Sequence, residues 1–239
     1  MRHAVSQQCR ALSRGWITWL SGALLVLMAT AAFGHGVAGD DKAFIENSSG
    51  ARVLPFVYLG AKHMVTGYDH LLFLFGVIFF LYRMRDVAIY VTLFAVGHSV
   101  TLLYGVLSGT HVNPYVVDAI IGLSVVYKAL DNLGAFQRFF GVQPNTKAAV
   151  LIFGFFHGFG LATKLQEFAL SADGLVVNIL AFNVGVELGQ LIALGGILIA
   201  ISFWRSTPAF QRQAFAANAV LMTAGFVLIG HQLAGYFTS

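Results

Sequence analysis

In the stretch HMVTGYDHLLFLFGVIFFLY, His63, Asp69 and His70 stand where the chain turns from polar to almost unbroken hydrocarbon. His98, His157 and Glu187 recur further on in equally apolar surroundings. Placing an ionisable side chain in the middle of a membrane helix costs about 2.5–3.5 kcal/mol, so such residues are functional candidates by default. Their types narrow the chemistry. The single cysteine, Cys9, lies near the N-terminus, so no disulfide framework and no thiolate metal site can form within one chain. Imidazole and carboxylate together suit Zn, Ni, Co or Fe rather than Ca or Mg.

Spacing adds detail. His63 and His70 are seven apart, with Thr66 or Gly67 between them, so on one helix they share a face two turns apart. Asp69 borders that face. Asn183, Glu187 and Gln190 repeat the i, i+4, i+7 pattern and draw a polar stripe on an oily segment. His63, Asp69, His70, His98, His157 and Glu187 are therefore the candidate metal ligands. His231 falls nearer a membrane surface, and His111 falls in a loop.

The elements that must position these groups follow from composition. The 239-residue chain is 58% hydrophobic and 10% charged, with a mean hydropathy of +0.77. A soluble domain carries roughly 25% charged residues, so a solvated surface is missing. The expected fold is all-α, a polytopic transmembrane helix bundle. The pI near 9.3 then reflects basic loops on one membrane face rather than a nucleic-acid partner. Six apolar segments, at about 56–82, 87–108, 114–133, 148–164, 175–203 and 215–237, are long enough to span. The linkers carry breakers, among them Asn113-Pro114, Gln143-Pro144 and Asp173-Gly174.

Residues 1–34 read as a cleaved signal peptide: Arg2, Arg10 and Arg14, then apolar Trp16 to Met28, then ATAAFG. Cleavage after Ala32 or Gly34 leaves His35 at or near the mature N-terminus, where it is either an ordinary linker residue or, with the free amine, part of a chelate for Cu(II) or Ni(II). Residues 35–55 make a short extracytoplasmic lead-in, and 56–239 the six-helix domain. With the mature N-terminus outside, the inner loops and helix ends hold Arg83, Arg85, Lys128, Arg138, Lys147, Arg205 and Arg212. Lys42, Arg52, Lys62 and Lys164 fall outside, in accord with the positive-inside rule. Both mature termini are expected on the periplasmic side of a bacterial inner membrane.

Five blocks in order, GYDHLLFLFGV, FAVGHSVTL, GLSVVYKALDNL, FGFFHGFGLA and FNVGVELGQ, resemble the signature blocks of the HupE/UreJ family of membrane proteins, specifically its second subfamily. The resemblance runs from about residue 56 to 237. It implies a small inner-membrane protein with a signal peptide and about six spans, associated with hydrogenase and urease maturation and described as a nickel or cobalt permease. It further implies that His63, Asp69 and His70 recognise the metal and that His98, His157 and Glu187 match the later polar centres. The lead-in is shorter than the extracytoplasmic domain many relatives carry. Nickel is the first expectation for the ion, with copper, cobalt or zinc open, and a metal-delivery or metalloenzyme-maturation protein is the partner class implied.

The sequence contains no GxxxxGK[ST] phosphate loop, so transport would run on potential, protons or a partner. The alternative reading is an intramembrane zinc-dependent hydrolase, since three histidines and a carboxylate can hold zinc with an open position for water, and Ser99 adjoins His98. No HExxH accompanies it. A haem-binding bundle with two axial histidines is the third.

Overall fold

The computed structural model describes residues 45–47, 49–167 and 171–239. The expected signal peptide and its cleavage site fall outside them, as does His35. Eight helices are present among the described residues: α1 (Val53–Thr66), α2 (Tyr68–Ile78), α3 (Met84–Ser108), α4 (Pro114–Asn132), α5 (Ala135–Phe140), α6 (Thr146–Gln166), α7 (Leu175–Arg205) and α8 (Ala209–Thr238). No strand occurs among the described residues. Four helices, α3, α6, α7 and α8, are long and apolar enough to cross a membrane.

The other two expected spans take different forms. The segment at 114–133 becomes α4, which starts on Pro114 with Asn113 accepting the Tyr115 and Val116 N–H groups as its N-cap. It carries Asp118, Lys128 and Asp131, which lower its apolar character. The segment at 56–82 is not one helix. It breaks at Gly67, whose ψ of 96° leaves the helical region, into α1 and the eleven-residue α2. His63 and His70 therefore lie on two half-helices rather than on one continuous face. The Gly67 N–H closes α1 onto the His63 carbonyl at 2.8 Å. A Cβ on Gly67 would lie 2.9 Å from His70 Nδ1 and 3.2 Å from Asp69 Oδ1, so glycine is what lets these side chains fold back over the break.

Three glycine-lined helix pairs build the bundle. In α1/α7, Gly60 meets the Phe182 carbonyl, Gly185 the Val57 carbonyl and Gly189 the Ala61 carbonyl. In α3/α6, Gly97 lies against Leu151 and Gly154 against Phe94. In α4/α8, Gly122 lies against Ile229 and Gly225 against Val126. In lipid, where apolar burial gives little drive for association, such small residues let backbones approach and gain van der Waals contact. The first two pairs run parallel and the third antiparallel.

The short α2 threads the middle, with Asp69, His70, Phe73, Leu74, Gly76, Val77 and Ile78 buried. Its C-terminal carbonyls are satisfied by Arg205 from the end of α7. The guanidinium donates to Ile78 O, to Phe79 O at 2.6 Å and to Leu81 O at 2.9 Å, and it stacks 4.5 Å over Tyr82. A cation at a helix C-terminus also opposes its macrodipole. The buried apolar side chains fall into two groups. One, with Phe56, Met64, Leu102, Leu165 and Phe182, lies toward the end where α1 and α7 begin; the other, with Phe79, Phe94, Val125, Val150 and Phe210, lies toward the opposite end.

Candidate metal-handling site

The α1/α2 break falls at mid-depth. Met64, beside it, packs on Gly189, close to the midpoint of α7. His98 and His157 also lie near the midpoints of α3 and α6. Five of the six residues singled out in the sequence, all but Glu187, meet at this level. The ring centroids of His63 and His70 are 5.2 Å apart, those of His70 and His98 5.9 Å, and those of His70 and His157 4.8 Å. His70, His98 and His157 are 3%, 1% and 1% exposed, so these imidazoles are sealed from the surroundings of the bundle.

The hydrogen bonds around two of the rings set which nitrogen holds the proton. Asp69 Oδ1 lies 2.9 Å from both the His70 backbone nitrogen and His70 Nδ1. A carboxylate only accepts, so His70 carries a proton on Nδ1, and in the neutral ring Nε2 is the free lone pair. Ser124 Oγ donates its one proton to Ile121 O at 2.6 Å and lies 3.2 Å from His157 Nε2. With the hydroxyl proton spent, His157 donates from Nε2, and its Nδ1 is left bare. Both lone pairs, His70 Nε2 and His157 Nδ1, are buried with no hydrogen-bond partner, as are both ring nitrogens of His98. Leaving a buried polar group unmatched costs about 1–3 kcal/mol. A carboxylate or hydroxyl orienting the far nitrogen of an imidazole is the arrangement that metal-ligating histidines adopt.

As the side chains stand, no three His, Cys, Asp or Glu groups among the described residues are set to hold one ion. The ring separations nevertheless match co-ligands. A metal–nitrogen bond of about 2.0–2.1 Å plus the ring radius places two ligating imidazole centroids about 5–6 Å apart.

Glu187 is not brought into the histidine group. It is exposed on a face of α7 shared with Leu180, Val184, Leu188 and Leu191, and its Oε1 lies 3.4 Å from both Ser99 Oγ and Asn183 Nδ2. Ser99 belongs to this second polar group, its Oγ accepting from Asn183 Nδ2 at 3.0 Å. The Asn183–Glu187–Gln190 stripe thus straddles the bundle boundary, with Gln190 buried against the Val91 carbonyl. The Gly185 and Gly189 contacts to α1 fix that rotation of α7. His231 and His111 are exposed and take no part.

Sequence reasoning passed over two contributors. Ser124 sets the His157 tautomer, and its only signal was its position in the GLSVVYKALDNL block. Phe73, Phe94 and Phe153 form a ring tier beside the histidines, with Phe73 5.4 Å from His157, 5.3 Å from Phe94 and 6.0 Å from Phe153. In the sequence they are indistinguishable from other membrane phenylalanines.

Among curated proteins and solved structures, none matches the chain. A family model described as HupE / UreJ protein matches residues 39–239, which takes in every helix described above and all four clustered histidines. The chain belongs to the HupE/UreJ family.

Proposed function

We propose that the protein is a permease for a divalent transition-metal ion, nickel first, and that the ion passes through the His63–Asp69–His70–His98–His157 group at the centre of six membrane-crossing segments. In this reading α1 and α2 together make the first crossing and α4 the third. The single observation that carries it is the pair of tautomer-set imidazoles, His70 and His157, whose bare nitrogens are buried without partners 4.8 Å apart by ring centroid.

The broken first crossing supports the same reading. Irregular backbone at membrane depth is tolerated where it lines a path or is covered by protein, and half-helix C-termini attract cations. The end of α1, at Thr66, offers such a terminus to the ion, while Asp69 sits in the first turn of α2. A group in which no three side chains are set to hold an ion binds weakly enough to release, as a conducting site requires.

Arg83, Arg85, Arg138, Lys147, Arg205 and Arg212 all lie toward one end of the bundle, the end opposite the start of α1. Taking that end as cytoplasmic places both termini of the mature chain in the periplasm of a bacterial inner membrane. Uptake then needs no nucleotide, because a doubly charged ion gains about 4.6 kcal/mol per 100 mV of inward-negative potential. The test is cellular ⁶³Ni²⁺ uptake by the wild type, His70→Ala and His157→Ala, with metal analysis of each purified protein. Uptake should fall at least tenfold in both variants; equal uptake in all three would sink the proposal.

A further inference from the structure

Below the histidines the bundle is layered. Phe73, Phe94 and Phe153 each lie one helical turn from His70, His98 and His157 toward the basic end, and Tyr127 lies one turn from Ser124 in the same direction. The Tyr127 and Phe153 rings are 5.3 Å apart, so this tier closes as a continuous aromatic floor. One further step down, the chemistry turns polar again. Lys128 and Asp131 are both buried at the side chain, 9% and 7% exposed, and pair at 2.5 Å. The Lys128 stem packs on Gly76 of α2, where a Cβ would lie 3.1 Å from its Cγ. Gly76 is six residues, about 9 Å, beyond His70.

This pair is more than an exposed i,i+3 contact at a helix end. Asp131 also accepts from Gln143 Nε2 at 2.5 Å and lies 3.4 Å from Thr146 Oγ1, so it joins the end of α4 to the start of α6. The Tyr127 hydroxyl is buried beside it without a hydrogen-bond partner. Asp131 is thus a carboxylate beneath the aromatic floor, on the side away from the histidines, with its charge met by an ammonium tethered to its own helix. A lysine ammonium is a compact point charge on a flexible stem, suited to yield its place to another cation.

Resting on the permease reading, we propose that Lys128 and Asp131 form the inner ionic gate. Asp131 is the station that receives the ion after the aromatic tier, and Lys128 is its resident counter-cation, displaced as the ion arrives and restored as it leaves. The balance is one of charge alone, with no bond made or broken. Lys128 acts as a positioning residue, and Asp131 is the group that touches the cargo.

The test uses purified full-length protein in proteoliposomes, with Ni²⁺ as the probe, and Ni²⁺ binding in detergent as a separate readout for the histidine group. Asp131→Asn should slow initial uptake at least tenfold while binding stays within twofold of wild type. Lys128→Met should raise initial uptake at least threefold. The deciding variant is the double substitution Lys128→Met/Asp131→Asn, which leaves no uncompensated buried charge and so keeps the fold. As a gate it remains at least tenfold slow with binding retained; as a merely structural pair it recovers wild-type uptake, and that recovery overturns the gate. Wild-type protein that binds but moves no Ni²⁺ overturns the permease reading itself, whereas wild-type uptake unaltered by Asp131→Asn overturns only the gate.

Discussion

Gly154→Ala is the sharpest test of how the fold holds the histidines. A Cβ at Gly154 lies 2.6 Å from the Phe94 carbonyl oxygen and 3.2 Å from its Cα, both rigid backbone atoms of α3. To reach an ordinary 3.4 Å contact, α3 and α6 must separate by about 0.8 Å. His98 sits one turn along α3 from Phe94 and His157 three residues along α6 from Gly154, so the shift passes straight into the site. Metal–ligand distances tolerate only about 0.2 Å, so a displacement four times that would prevent His98 and His157 from sharing an ion. Overpacking of this kind costs about 1–3 kcal/mol. The matched control is Gly196→Ala on α7, where an added Cβ meets nothing within 4 Å. Both substitutions gain the same helix propensity, roughly 1 kcal/mol, so their difference isolates packing. The melting midpoint of Gly154→Ala in detergent should lie roughly 2–12 °C below that of Gly196→Ala. Its ⁶³Ni²⁺ uptake should drop at least tenfold while the control keeps wild-type uptake. Indistinguishable midpoints and uptake in the two variants would refute the claim that glycine-lined contact between α3 and α6 sets the site.

Other outcomes follow from the same geometry. His98→Leu removes two unmatched buried nitrogens, so thermal stability should hold or rise by about 1 kcal/mol while uptake is lost; a large loss of stability would contradict the partnerless reading. Arg205→Ala strips three carbonyls at the end of α2 of a charged donor and should cost about 2–4 kcal/mol by chemical or thermal unfolding, with Arg205→Lys recovering only part because a point charge cannot span all three. Glu187→Gln should retain uptake within a factor of two, since the carboxylate lies with Ser99 and Asn183 outside the histidine group; a tenfold loss in the uptake assay would extend the ion path to α7. Ser124→Ala frees the His157 tautomer and should weaken Ni²⁺ binding by about 10-fold without changing uptake direction, read by titration of the purified protein.

The sequence by itself determined the membrane-helical character, most helix boundaries and which ionisable residues stand out in the apolar segments. A chain with 10% charged residues has no solvated surface to offer, and backbone groups in lipid must be satisfied within helices, so an all-helical membrane protein followed before any contact was known. The boundaries of α3, α4, α6 and α7 fell within a few residues of the apolar segments because breakers and caps such as Asn113-Pro114 act locally. His70, His98 and His157 stood out because ionisable groups are rare at that depth. Only the tertiary structure decided where each of them points. The polar dip around Gly67 does not say whether the helix continues or breaks there, so the break that splits α1 from α2 is seen only in the fold. On an oily helix every face looks alike to the sequence, and the rotation of α7, set by Gly185 and Gly189 against α1, turned Gln190 inward and Glu187 outward. The proton positions on His70 and His157 were likewise invisible, because they depend on Asp69 folding back over the break and on a serine from a different helix.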